Sequence, residues 1–263
     1  MHRAMAGYSE KRYGFVWKRA TPLSLLIEAG SELLTLGTVA VVLAAIGMLP
    51  LSRTGLIVAA LSYAAVTLFV IVGLSRHAPH QRFGIANAIT LCRAAFNIVL
   101  LTVIAEELLG KERLLDATFR WGLTVAAAIA LVLDGVDGWI ARRNNMTSEF
   151  GARFDMETDG VFLLALTLLL VTGDIVGAWV VASGLIYYFF RVATRIWPTL
   201  TAPLFPSIRR KAICVVQGAV LIAALAPAIP SWGAQLICLT GLALLLYSFG
   251  VDVIWLLSRS RRS

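Results

Sequence analysis

Four aspartates, Asp134, Asp137, Asp155 and Asp159, lie close together in a chain that is otherwise overwhelmingly apolar. The first two are three residues apart and the last two are four apart, so on helices each pair projects from a single face. The stretch between them, ARRNNMTSEF, is polar enough to turn the chain and set the two pairs opposite each other. An ionised carboxylate in or beside hydrocarbon costs several kcal/mol unless something compensates it. Arg142, Arg143 and Arg153 accompany the four acids and are too few to do so. An all-oxygen ligand set selects a hard divalent cation, so the spacing predicts Mg²⁺ or Mn²⁺, and such ions attract phosphates. Gly135, Gly138, Gly151 and Gly160 lie among the acids and would let a bulky ligand approach the backbone. Ala141 extends that small-residue surface, and Arg142 offers a forked donor to a phosphate. A plain solvated turn has no reason to keep carboxylates on two converging faces.

The elements that must position these residues are membrane helices. Of the 263 residues, 59% are hydrophobic and 14% charged, outside the range of a soluble domain of this length. Apolar runs near the length needed to cross a bilayer recur at about 33–50, 54–74, 84–104, 119–139, 151–173, 175–196, 211–229 and 233–257. The expectation is an all-α, polytopic integral membrane protein of about eight helices, with no removable signal peptide. Cys92, Cys214 and Cys238 stand singly in apolar runs and read as buried, inert thiols. Lys and Arg collect in loops that stay cytoplasmic. With eight helices, 19 of the 23 basic residues fall on the side holding both termini and the aspartates, leaving Arg53, Lys111, Arg113 and Arg120 opposite. Both termini and the acidic cluster are therefore expected at the cytoplasmic face. The net charge of +8 reflects this asymmetry and attraction to anionic lipid, with no nucleic-acid partner implied. Residues 1–32 read as a cytoplasmic or interfacial segment, with Tyr8 to Gly30 lying along the membrane surface or its start forming a flexible tail. Residues 33–75 read as an accessory helix pair, and 76–263 as the part that carries the chemistry.

The pattern Asp134-x-x-Asp137-Gly138-x-x-Ala141-Arg142, then Gly151-x-x-x-Asp155-x-x-x-Asp159, resembles the signature of the CDP-alcohol phosphotransferase family at every fixed position. The hydropathy from about residue 76 to 257 is similar to that family's six-helix core, and the first two helices look like an addition. The resemblance implies a phosphatidyltransferase in which an acceptor hydroxyl attacks the β-phosphorus of a CDP-alcohol, usually CDP-diacylglycerol, and CMP leaves. It further implies Asp134, Asp137 and Asp155 as metal ligands for two ions, with Asp159 a shared ligand or the general base. Gly138 and Ala141 would line the cytidine site beside Gly151, Arg142 would bind the nucleotide or its phosphates, and the protein would pair with itself. Two other readings use comparable residues. A membrane prenyltransferase also holds magnesium diphosphate on two aspartate motifs, but usually on well-separated helices. A divalent-metal transporter could use intramembrane carboxylates and would need no nucleotide.

Supporting residues lie elsewhere. ANAITLCRAAFN places Asn87, Thr90, Arg93 and Asn97 on one stripe, which in a membrane helix must face other helices or a cavity. It is similar to the family's Asn-x-Leu-Thr-x-x-Arg element, with Ile89 in place of Leu. Asn87 and Thr90 either contact the nucleotide or its phosphates or bond neighbouring helices, and Arg93, deeper, could neutralise the aspartates. Arg191, Arg195, Arg209, Arg210 and Lys211 could hold the phosphate of an acceptor such as glycerol 3-phosphate or inositol phosphate, or simply follow the positive-inside rule. His77 and His80, with a proline between them and no third ligand nearby, read as an interfacial loop. Asp252 is expected to pair with Arg259 or another basic residue, or to join the acceptor site. Trp121, Trp197, Trp232 and Trp255 read as interfacial anchors.

Overall fold

A computed structural model of the chain describes residues 23–45, 52–109, 114–144, 146–196 and 208–260. The expected interfacial stretch before residue 23, Trp197, the side chains of Lys211 and Arg259, and Arg261 and Arg262 lie outside the described residues. Eight α-helices and no strand occur among the described residues: α1 Leu23–Ala45, α2 Arg53–Gly73, α3 Gly84–Leu109, α4 Ala117–Arg143, α5 Glu149–Thr172, α6 Val181–Ile196, α7 Ile208–Leu225 and α8 Ser231–Ser260. Helix starts follow local chemistry. Ser52, Asp116 and Ser148 each turn an extended backbone into a helix and accept, through the side chain, an otherwise unpaired first-turn N–H, from Gly55, Phe119 and Gly151 respectively.

Among the described residues four spans are long and apolar enough to cross a membrane: Arg53–Arg76, Gly84–Leu109, Ala117–Arg143 and Ser231–Leu256. These spans support a membrane protein. Helix α5 carries Arg153, Asp155, Glu157 and Asp159 in its first half, and α6 has only 16 residues. The first helix begins at Leu23, well ahead of the apolar run expected from residue 33. Glu28, Glu32 and two serines lower the hydropathy there without breaking the helix.

Two apolar clusters hold the bundle. One joins α3, α4, α5, α7 and α8 through Leu100, Leu123, Leu166, Leu221, Leu225 and Cys238. The other joins α1 and α2 to the starts of α3 and α5 through Leu25, Val70, Leu74, Phe83, Phe150 and Phe154. Helices α5 and α6 approach closely at Gly184, where a Cβ would stand 2.8 Å from the backbone of Leu164. One expectation is corrected: Cys238 is buried, but Cys92 and Cys214 are exposed on helix surfaces. An apolar helix facing lipid carries a thiol as readily as a packed one does, because both surroundings are apolar.

Candidate active site

The four aspartates converge where α4 ends and α5 begins, and the residue that gathers them is Arg93 on α3. Its Nη1 donates to Asp137 Oδ2 and Asp155 Oδ1, each at 2.9 Å, and its Nη2 lies 2.8 Å from Asp134 Oδ1 and pairs with Asp159. Arg93 is only 4% exposed. A single guanidinium thus faces four carboxylates, and the pocket stays strongly electronegative even with it in place. Thr90, one turn before Arg93, donates its hydroxyl to Asp137 Oδ2 at 3.1 Å.

The donor set fits a divalent ion. Asp137 is buried, and its Oδ1 has no hydrogen-bond partner. A buried, unpartnered carboxylate oxygen is expensive and calls for a cation. Oxygens of Asp134, Asp137 and Asp155 all lie within 4.8 Å of one another. Opposite ligands of a small divalent ion are about 4.2 Å apart, twice the usual metal–oxygen distance, so modest side-chain adjustment closes the shell. Asp159 stands outside that triplet and is the most open of the four acids, its side chain 39% exposed against 3% for Asp137.

The small residues have distinct surroundings. A Cβ on Gly138 would meet Arg142 Nη1 at 3.2 Å, so the guanidinium folds back over the glycine one turn earlier. Nothing lies within 4 Å of a Cβ at Gly135, beside Asp134. At Gly151 a Cβ would stand 2.9 Å from Asn87 Oδ1 and 3.2 Å from Ser148 Oγ, so the first turn of α5 rests directly on the start of α3. Ala141 is half-buried on α4 between Gly138 and the helix end.

The sequence model of the CDP-alcohol phosphatidyltransferase family matches residues 83–249, more than half of the chain. The chain belongs to that family. It is therefore a membrane transferase of substituted phosphate groups, acting on a CDP-alcohol. The matched segment begins just before α3 and excludes α1 and α2. No curated protein and no solved structure matches the chain.

Not every expected residue is free to meet a substrate of the enzyme. Asn87 donates to the Phe83 carbonyl while its Oδ1 faces Gly151, and Thr90 is held by Asp137, so both bond within the bundle. Arg191 pairs with Glu157 and donates to Tyr187 Oη at 3.2 Å, a pairing that sequence spacing alone does not announce. Glu157 lies between the two α5 aspartates, and its spacing from Asp155 places it off their face, which is the signal that could have separated it from them. Arg209 donates to Asp252 at 2.8 Å and Arg210 at 3.4 Å, so Asp252 pairs with α7. Arg195 is exposed at the end of α6. His77 is fully buried and hydrogen-bonded through both ring nitrogens, which an open interfacial loop would not require.

Proposed function

We propose that the enzyme transfers a phosphatidyl group from CDP-diacylglycerol to a small alcohol. The acceptor oxygen forms a bond to the β-phosphorus, the bond from that phosphorus to the oxygen of CMP breaks, and the electron pair leaves with CMP. The acceptor's proton passes to a carboxylate. The observation that carries this reading is the convergence of four acids around a buried, unpartnered oxygen of Asp137 within the family's signature.

Asp134, Asp137 and Asp155 would hold Mg²⁺ or Mn²⁺, with Asp159 available as a shared ligand to a second ion. When bound, the metal neutralises the diphosphate and stabilises charge on departing CMP. Asp159, the open acid, is placed to accept the proton of the attacking hydroxyl. Arg142 hangs over Gly138 and can turn to a phosphate, which would open Gly138 and Ala141 to the cytidine, while Gly151, packed against Asn87, would hold α5 beside that site. Asn87 and Thr90 serve this site by fixing α5 and Asp137. The exposed Arg195 would favour an acceptor that carries a phosphate, such as glycerol 3-phosphate or inositol phosphate, with Arg209 and Arg210 joining it on release from Asp252 and Lys211 beside them in sequence. Arg191, paired with Glu157, would have to exchange partners to join them. The excess of basic residues at this end of the bundle supports a cytoplasmic site, and a homodimer follows the family's habit. Residues 76–263 would form the catalytic unit.

Purified enzyme supplied with CDP-diacylglycerol, Mg²⁺ or Mn²⁺ and a panel of acceptors should release CMP and yield a phospholipid identifiable by mass. Absence of CMP release with every acceptor would overturn the proposal. Metal flux in liposomes without nucleotide would favour the transporter, and turnover of a prenyl diphosphate would favour the prenyltransferase. Gly151→Val is expected to slow CMP release by about 10²-fold, because the added side chain pushes α5 off Asn87 and displaces both of its aspartates. Full activity in that variant would show that the contact is dispensable.

A further inference from the structure

The first turn of α5 carries Gly151 and leads directly to Asp155 and Asp159, yet much of what packs against it comes from outside the family segment. Phe69 of α2 lies against Phe154, with ring centroids 5.8 Å apart, and Phe154 lies against Phe150 at 5.6 Å. At the end of α2, a Cβ on Gly73 would stand 2.6 Å from the Phe150 ring, so α2 and α5 touch there with no room for a side chain. Helix α1 closes the same cluster, with Leu25 and Ala29 buried in it and Glu28 Oε2 accepting the Phe83 N–H at 3.1 Å.

Between α2 and α3 sits His77. Its Nε2 lies 2.8 Å from the Arg82 carbonyl and its Nδ1 lies 2.8 Å from Ser148 Oγ, while the ring meets Phe150 edge to face. A carbonyl only accepts, so Nε2 carries a proton, and in the neutral ring that burial favours Nδ1 accepts. Ser148 therefore donates its hydroxyl hydrogen to Nδ1, and its oxygen stays free to accept the Gly151 N–H at 2.9 Å. Every donor in this arrangement has an acceptor when the ring is neutral. Burial pushes the His77 pKa below its ordinary value, in agreement with that state.

We propose that the α1–α2 hairpin is a buttress for the first turn of α5, and that His77 is the positioning residue through which it fixes Asp155 and Asp159. The imidazole orients the Ser148 hydroxyl, the hydroxyl caps α5, and the cap sets where the helix and its two acids begin. The consequence for metal binding rests on the ligand assignment proposed above.

The test uses full-length enzyme in lipid nanodiscs with two measurements: hydrogen exchange over residues 146–158, and Mn²⁺ affinity by titration. His77→Ala should speed exchange in that segment and weaken Mn²⁺ binding about tenfold, whereas His77→Asn, whose carbonyl oxygen stands near the Nδ1 position, should stay within about twofold of wild type. His77→Gln reaches the Arg82 carbonyl and loses the Ser148 acceptor, so it should resemble the alanine variant. In a Ser148→Ala background, His77→Ala should have no further effect. Equal behaviour of the alanine and asparagine variants, or unchanged exchange and affinity in the alanine variant, would overturn the proposal. Failure of the wild type to bind Mn²⁺ would sink the metal assignment, and the exchange measurement would still decide for or against the buttress.

Discussion

Replacing Asp159 with asparagine is expected to slow CMP release by roughly 10²–10⁴-fold while CDP-diacylglycerol still binds. Asparagine keeps the shape of the side chain and can still accept from Arg93, so the pocket should persist. What it loses is the capacity to take a proton. Asp159 is the acid best placed to take one, because it is the most exposed of the four and stands outside the triplet of oxygens that could share one ion. Asp137→Asn offers the contrast, because Asp137 is buried with one oxygen unpartnered, and its loss should appear first as weakened Mn²⁺ binding. Equilibrium lipid binding, Mn²⁺ titration and single-turnover CMP release on both variants separate the roles. A loss of Mn²⁺ affinity in Asp159→Asn as large as that in Asp137→Asn would make Asp159 a metal ligand, and near-normal CMP release would remove it from the base role.

The aspartate spacing is informative because helix periodicity is a local property. Residues three and four apart share a face whatever surrounds them, and a polar stripe in an apolar helix must turn inward, so the sequence suffices to place Asp134, Asp137, Asp155, Asp159 and Arg93. Side-chain partners across long sequence separations are not legible in the same way. Arg191 looks available as an anion site because nothing nearby in sequence shows that Glu157 holds it. His77 reads as a surface loop because its partners, Ser148 and Phe150, lie more than seventy residues away. The exposure of Cys92 and Cys214 is hidden for a different reason, since lipid-facing and packed faces of a membrane helix have the same composition. Hydropathy places the start of α1 late because Glu28 and the serines near it depress the signal, although Glu28 is useful there as an acceptor for the Phe83 N–H.

Arg93→Ala should have its largest effect on the protein in chelator, before any substrate is present. Removing one partner of a buried ion pair costs about 3–5 kcal/mol, because the remaining charge is left without compensation. Here the remaining charge is four carboxylates, so the thermal midpoint in chelator is expected to fall on the order of 10 °C. A divalent cation can supply the missing charge to the same oxygens. Added Mn²⁺ should then raise the midpoint of the variant more than that of the wild type, since an ion that binds only the folded state stabilises it in proportion to its affinity, and in the variant it no longer competes with the guanidinium. Arg93→Lys should fall between the two, because an ammonium is a point charge that cannot reach all four acids as the planar fork does. Turnover should drop in both variants, but that loss alone would not distinguish a counter-charge from a substrate ligand. The difference between the Mn²⁺-induced shifts does: equal shifts in wild type and Arg93→Ala would mean that the guanidinium and the ion occupy separate places, and the view of Arg93 as the cluster's internal cation would have to be given up.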